Sequence, residues 1–220
     1  MSHSRQRRED EKEQRREAIL DAAETVFARH GFEHARMDDV ARKARVSRAL
    51  VYLYFRNKAE LHFAVCLRAL QVLREQLAAA SDANARGIDK VAAIGQAYIR
   101  FAIERPLYFA ALSRFEAHSP ECLAPGSTER VVLDAGSGVH EVTVAALRAG
   151  MADGSIRRIE QPMLVAITLW SFTHGAIQVA QTKAPFLDEV GLSADALLQH
   201  AIEFSMRGLQ PAEAQRRSRR

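Results

Sequence analysis

The sequence predicts an all-α protein, with an N-terminal three-helix domain that contains a helix-turn-helix and a longer C-terminal helical body. Three observations lead to this reading. Apolar residues recur at three- and four-residue spacing along most of the chain, as amphipathic helices require. No stretch alternates polar and apolar residues over a convincing strand length. Residues 37 to 58 hold two short amphipathic runs separated by a tight break. At 220 residues and 48% hydrophobic, the chain has enough apolar material for one or two well-packed domains. The expected division is an arm without regular structure (1–14), a head (15–60), a body (61–209) and a basic tail without regular structure (210–220).

The elements can be justified in order. Residues 1–14 mix Arg5, Arg7 and Arg8 with Glu and Lys and have no apolar face, which suits a solubilising tail or a basic arm along DNA; both readings stay open. From about Arg15, Ile19, Ala22, Ala23, Val26 and Phe27 repeat at helical spacing until Gly31 stops the helix. Val40, Ala41 and Ala44 share a face of the next short helix. Ala44-Arg-Val-Ser47 turns the chain, and the Ser47 hydroxyl is placed to cap a helix starting near Arg48, with Val51, Tyr54 and Phe55 on its buried side. That is a helix-turn-helix, whose second helix meets base edges in the major groove.

These residues also carry a resemblance. Asp39-Val-Ala, Ala44-x-Val-Ser, and Val51-Tyr-x-Tyr-Phe-x-x-Lys followed by Leu61 resemble the DNA-binding signature of the TetR family of transcriptional repressors, over about residues 17 to 63. The resemblance implies base contacts from Arg48, Ala49, Leu50 and Leu53, and phosphate contacts from Tyr52, Tyr54 and Lys58; Arg36, Arg45 and Ser47 complete the expected DNA-binding set. Two positions depart from the pattern. Arg45 stands where the family usually has Gly, and a left-handed backbone there would cost a non-Gly residue roughly 1 kcal/mol. Ala35-Arg36 replaces the usual capping Thr or Ser, so a phosphate contact is either lost or passes to the Arg36 guanidinium.

Asn57 precedes a long amphipathic helix carrying Leu61, Val65, Leu70, Leu73 and Leu77, which runs into the polar cluster at 80–87. Body helices follow over Ile88–Ile103, from Pro106 through Phe115, over about 129–150, from Met163 to Gln181 after Pro162, and from Ala194 to Leu209 after Ser193. Residues 117–128, with Pro120, Pro125 and Gly126, form a loop; Gly136 and Gly138 weaken the helix that follows it. The last two helices are apolar on more than one face. A helix apolar all round must be covered all round, which in a chain this size suggests a subunit interface, with Leu197, Leu198, Ala201 and Ile202 as its expected residues.

Charge agrees with a nucleic-acid partner at the N-terminal end. The formal net charge is only +4, yet residues 1–60 hold 14 basic against 11 acidic side chains while 61–204 hold 12 against 15. Within 34–58, seven basic residues, Lys43 among them, face two acidic ones, Asp38 and Asp39. Cys66 and Cys122 lie outside any CxxC spacing and read as buried thiols rather than a disulfide or zinc site. No apolar run approaches the length of a membrane span and the N-terminus is too charged for a signal peptide, so a cytoplasmic protein is expected.

Enzyme chemistry finds little support. The chain has no Gly-rich phosphate loop, no GxSxG elbow and no HExxH spacing, so no catalytic residue, metal or cofactor is expected. Trp170-Ser-Phe-Thr-His174-Gly175 is similar to a motif in the ligand-binding body of many TetR-like proteins, and its Trp and His share one helix face. With Tyr98, Phe101, Phe109 and Phe115 they form the expected effector-pocket set, the alternative being that all six are plain core. The resulting expectation is a homodimeric repressor that binds a double-stranded, pseudo-palindromic operator and is released by a small-molecule effector. An activator, an effector-less DNA binder, and much more remotely a helical enzyme or carrier are the alternatives.

Overall fold

The computed structural model describes residues 2–119 and 123–211. Among them all regular structure is helical: α1 (Ser2–His34), α2 (Met37–Ala44), α3 (Arg48–Tyr54), α4 (Lys58–Asp82), α5 (Gly87–Glu104), α6 (Pro106–Glu116), α7 (Thr128–Ala152), α8 (Pro162–Thr182), α9 (Ala184–Glu189) and α10 (Ala194–Leu209). These fall into two compact units. One takes the chain up to Ala69 together with Leu107–Leu133; the other takes Leu70–Pro106 together with the chain from Asp134 onward.

In the first unit α1 packs on α2, and α2 on α3. The predicted stripe Ile19, Ala22, Ala23, Val26 and Phe27 is buried, as are Val40, Ala41, Val51 and Phe55. The helix stops in its regular form at Gly31, whose φ of 70° and ψ of 163° leave helical space. Its beginning corrects the expected arm of residues 1–14: from Ser2 the chain is already helical. The mixed charge that argued against a core-facing helix supports a solvated one, because Arg5–Glu9 and Arg7–Glu11 pair at 3.3 Å across one turn. Such pairs add a few tenths of a kcal/mol each.

The turn between α2 and α3 follows the sequence closely. Arg45 caps α2 in the left-handed region, φ 58° and ψ 40°, and is the single non-glycine residue with positive φ among those described. Ser47 Oγ accepts a hydrogen bond from the Leu50 amide at 3.2 Å and so caps α3. Asn57 Oδ1 accepts from the Glu60 amide at 2.8 Å, while the Glu60 carboxylate accepts from the Arg56 amide at 2.7 Å, which closes the N-terminus of α4 from both sides.

An ionic clamp joins three helices of this unit. The Arg68 guanidinium of α4 donates to Asp21 and Glu24 of α1, both at 2.7 Å, and also to Glu17. Glu24 in turn accepts from the Tyr108 hydroxyl of α6 at 3.1 Å. Beside it, His62 is buried with its ring 4.9 Å from that of Phe32, and Cys66 Sγ lies 3.5 Å from the Ala111 carbonyl. Burial pushes the Cys66 thiol up to about 12, so it is an inert core thiol. Cys122 lies outside the described residues.

In the second unit α5, α8 and α10 pack on one another. The stripe Val91, Ile94, Tyr98, Phe101 and Ala102 of α5 is buried as predicted. The start of α5 has no cap from its own sequence; Asp153 accepts from the Gly87 amide at 2.7 Å and Ser155 Oγ from the Ile88 amide at 3.0 Å. Gly87 must be glycine because a Cβ there would lie 2.0 Å from the Gly150 nitrogen. Gly150 therefore serves a close crossing rather than ending α7, which continues to Ala152. Gly136 and Gly138 do not break that helix. The six-residue α9, too short to show a period, was not expected.

Two outcomes follow from the first unit. Arg45→Gly removes the left-handed strain and should raise the stability of the chain by roughly 1 kcal/mol, read as a higher midpoint in urea unfolding. For His62, burial foremost and then the Arg114 charge depress the pKa from 6.5 to about 4. The unfolded chain therefore binds more protons below pH 6.5, so stability is full above that value and is lost as pH falls toward 4, by on the order of 3 kcal/mol. Thermal melts between pH 7.5 and 4.5 should show this slope in the wild type and a shallower one in His62→Leu.

Candidate nucleic-acid interface and effector cavity

The helix-turn-helix presents one exposed face. On α3, Arg48, Ala49, Tyr52 and Leu53 are exposed, Leu53 to 77%, while Val51 is fully buried; Leu50 and Tyr54 are half-buried. A seven-residue helix that leaves a leucine this bare on the same face as Arg48, Ala49 and Tyr52 offers both an apolar contact and polar ones. Ser47 is exposed but its oxygen is engaged as the cap.

Charge around this face is organised in two ways. Arg48 pairs with Asp38 of α2 at 3.1 Å and lies over the Tyr52 ring, 5.4 Å from its centroid. The Tyr52 hydrogen bond first, and then Asp38, raise the Arg48 pKa above its ordinary value. An exposed, solvent-screened pair of this kind holds the side chain only weakly, so it can be exchanged for a bidentate contact to guanine. Arg42 and Arg56 are likewise paired, with Asp39 and Glu60, at 3.2 Å each. Arg36, Lys43 and Arg45, by contrast, are exposed and carry no ion pair among the described residues. Lys43, exposed on α2, is a further phosphate candidate.

Arg36 occupies the N-cap of α2 without capping it through its side chain. Asp38 and Asp39 instead supply negative charge to the first turn. Lys58 differs from its expected role. Its ammonium donates to the carbonyls of Phe32 and Glu33 at 2.8 and 2.9 Å and sits 4.5 Å from the centre of the Phe32 ring, so it ties α4 to the end of α1.

The body unit contains a cavity between α4, α5, α7, α8 and α10. It encloses about 540 Å³ of atom-free space, its mouth included, of which about 50 Å³ is wide enough for the centre of a water molecule. Leu73, Leu77, Val91, Ile94, Val139, Ala166, Leu169 and Ile202 give it apolar walls. Tyr98, His140, Thr143, Trp170, Thr173 and Ser205 supply the polar atoms.

Of the six residues expected in an effector site, Tyr98 and Trp170 line this cavity. His174 stands behind them: its Nδ1 is 2.7 Å from the Tyr98 oxygen, which also accepts from Trp170 Nε1 at 3.3 Å. Phe101 is fully buried beside Tyr98 and does not line the cavity. Phe109 and Phe115 belong to the first unit, where Phe115 packs edge-on against Phe63 at 5.8 Å, and the structure does not bring them to the cavity. Aromatic spacing alone could not separate the two groups, since all of these residues lie on buried helix faces. His140 and Thr143 were not anticipated; they are polar residues on the inner face of α7, a signal that a strict reading of its pattern would have revealed.

Most of the expected interface residues face inward. Leu198, Ala201 and Ile202 are buried within the protomer at 8%, 2% and 9% exposure, and Leu197 is half-buried, because this side of α10 packs on α5 and α8. The bare apolar surface lies on the opposite side: Leu164, Ile167, Phe172 and Val179 of α8 and Phe204 of α10, the Phe172 and Phe204 rings 5.8 Å apart. Gly175 lies in the same stripe with nothing within 4 Å of where a Cβ would be. Against expectation, α8 has the length and apolarity of a membrane span, with mean hydropathy 1.4 over an 18-residue window of which 28% is buried. The exposed stripe accounts for that apolarity.

Comparison with known proteins agrees with this geometry. Residues 19–65 match the model of bacterial regulatory proteins of the tetR family, and residues 91–204 match the tetracyclin repressor-like C-terminal domain. The chain is 47% identical over 47 residues to an HTH-type transcriptional repressor of Streptomyces coelicolor, a match to 21% of this chain and 24% of that protein. It thus spans about a quarter of that relative's length, and likewise of an HTH-type regulator of Bacillus subtilis. A longer match, 25% identical over 182 residues, covers 78% of this chain and 82% of the regulator TtgR of Pseudomonas putida. Among solved structures, a Rhodococcus protein of unknown function has a TM-score of 0.72 at 23% identity, covering 90% of this chain and 95% of that one. FadR of Bacillus subtilis, in complex with stearoyl-CoA, has a TM-score of 0.68 at 16% identity, covering 88% and 98%. A capped recognition helix set in a three-helix head, followed by a helical body that matches in its own right, places this chain in the tetR family of bacterial transcriptional regulators.

Proposed function

We propose that this chain is a ligand-responsive repressor that acts as a homodimer in the cytoplasm, binds a pseudo-palindromic operator, and loses affinity for it when a small molecule occupies the body. The observation that carries the DNA-binding part is the exposed face of α3, with Arg48, Ala49, Tyr52 and Leu53 exposed, beside the exposed cations Arg36, Lys43 and Arg45 of α2 and its ends, which have no ion pair among the described residues. In this reading Arg48 and Leu53 read bases, with Ala49 and Leu50 beside them. Tyr52, Tyr54, Arg36, Lys43 and Arg45 hold the backbone. Lys58 acts by anchoring α4 rather than by touching phosphate.

Dimerisation is supported by the bare stripe on α8 and α10, which a second copy related by a two-fold axis would cover with the same stripe. The cavity supports effector binding, since it is concave and largely apolar with a few convergent polar groups. Its walls include Ala166, Leu169 and Thr173 of α8 and Ile202 and Met206 of α10, the two helices that carry the stripe. Occupancy can shift the dimer only by as much as the ligand prefers one arrangement over the other. No part of this reading asks for catalysis or a cofactor.

Band shifts with the DNA flanking the chain's own gene, at two salt concentrations, test the reading. Binding should weaken steeply with salt. Arg48→Ala should relax preference at one base pair of each half-site by about 1 to 3 kcal/mol; an unchanged sequence preference would remove Arg48 from the reading set. For the dimer, Phe204→Glu should leave the melting temperature near that of the wild type and yield monomers by light scattering with little operator binding. Leu198→Glu should instead lower the melting temperature, because it buries a charge inside the protomer. A Phe204→Glu protein that stayed dimeric would place the interface elsewhere.

A further inference from the structure

We propose that the body cavity takes a compact, uncharged and largely apolar compound carrying one hydrogen-bonding group, and that His140, Thr143 and Thr173 recognise that group. This deepens the effector reading above and rests on it. The cavity sits in one unit, and none of its lining residues is a Lys, Arg, Asp or Glu. A carboxylate, phosphate or ammonium entering it would give up hydration without meeting a counter-charge, whereas an uncharged compound loses only what the apolar walls return. The space also limits size: with about 50 Å³ open to the centre of a water molecule, a single ring or a short branched chain is the natural occupant.

Polar recognition is narrowed by asking which side chains are already engaged. The Trp170 N–H donates to the Tyr98 oxygen, and Tyr98 is bonded to His174, so these groups shape the wall. Thr143 and Thr173 are buried, at 8% and 5% exposure, and neither hydroxyl has a hydrogen-bond partner among the described residues. Among the described residues no buried side-chain oxygen or nitrogen is left both sealed and unpaired, so these hydroxyls open onto the cavity they line. Among the described residues His140 likewise has no hydrogen-bond partner, and its ring stands edge-on to Trp170 with centroids 5.4 Å apart. Burial holds the His140 pKa below its ordinary value, which leaves a neutral ring with one donor and one acceptor at pH 7. These three groups from α7 and α8, with Ser205 of α10 also in the lining, can each exchange water for one alcohol, ketone or amide.

The chain contains a single tryptophan, Trp170, and it lines this cavity, so its emission reports occupancy without a label. The full-length protein would be titrated with cyclohexylmethanol, cyclohexanecarboxylate and cyclohexylmethylamine, which share a ring and differ in charge. The alcohol should shift Trp170 emission saturably, with half-saturation at least about tenfold below either charged analogue. His140→Leu and Thr143→Val should each weaken the alcohol about five- to tenfold. His140→Gln, which keeps a donor and an acceptor, should bind near the wild-type level, and thermal melts of all three variants show whether a loss is merely misfolding. A charged analogue that binds as well as the alcohol, no saturable shift with any of the three, or full binding by folded His140→Leu and Thr143→Val would each overturn the proposal. The repressor reading is decided separately, by the operator band shift of wild-type protein with the alcohol present: saturable Trp170 binding without any change in the band shift would leave the ligand class standing and remove the effector role.

Discussion

Helices of eight and seven residues do not persist alone in water, since nucleation costs more than so few hydrogen bonds return. The DNA-reading apparatus consists of two such helices, α2 and α3. Everything that fixes their mutual angle is therefore external to them. Val40 and Ala41 on one, and Val51 with Phe55 at the end of the other, are buried, and α2 packs on both α1 and α3. The caps at Arg45 and Ser47 decide where each helix stops and starts. Lys58 holds the carbonyls at the end of α1, and the Arg68 clamp on Glu17, Asp21 and Glu24 binds the first half of α4 to α1. Removing any of these would blur the placement of Arg48 and Leu53 without touching either.

The second unit solves a different problem. Its helices carry more apolar surface than one protomer can cover, and the surplus falls on the outer side of α8 and α10 while Leu198, Ala201 and Ile202 fill the inner side. The same unit walls a cavity whose polar groups are divided between Tyr98 and Trp170, bonded to one another with His174 behind them, and His140, Thr143, Thr173 and Ser205, which have no such bond among the described residues. Satisfied polar groups in a low-dielectric interior rigidify it. Unsatisfied ones are tolerated only where water or a ligand can reach them.

The head was legible in the sequence because its devices are local. A hydroxyl three residues before the amide that it caps, an αL turn, and a 3.6-residue stripe each occupy a window of a few residues, and the structure returns Ser47, Arg45 and the α1 stripe in those roles. The body was legible as helices but not as sites. Phe101, Phe109 and Phe115 share composition and spacing with Tyr98, yet whether such a residue faces a cavity, a core or another unit depends on helix rotation and crossing, which periodicity does not encode. The inner and outer sides of α10 were confused for the same reason: both are apolar, and only packing on α5 and α8 tells them apart. Residues 2–14 show the reverse case: they lack an apolar face yet form a helix, because charge pairs one turn apart support a solvated one.

The borrowed cap of α5 bears on how the body assembles. The amides of Gly87 and Ile88 find their acceptors in Asp153 and Ser155, 66 and 67 residues further along the chain. Until the turn after α7 arrives, the first turn of α5 has exposed donors and no side chain of its own to quiet them. Contacts at that separation close large loops and are made late. During synthesis the α5 start would thus remain frayed while α6 and most of α7 emerge, so the unit commits to its fold in one late step rather than helix by helix. A ribosome-bound chain ending before Asp153 would hold the cavity-lining Val91 and Ile94 on an unsecured helix, a state in which exposed apolar surface invites capture by chaperones or by other chains.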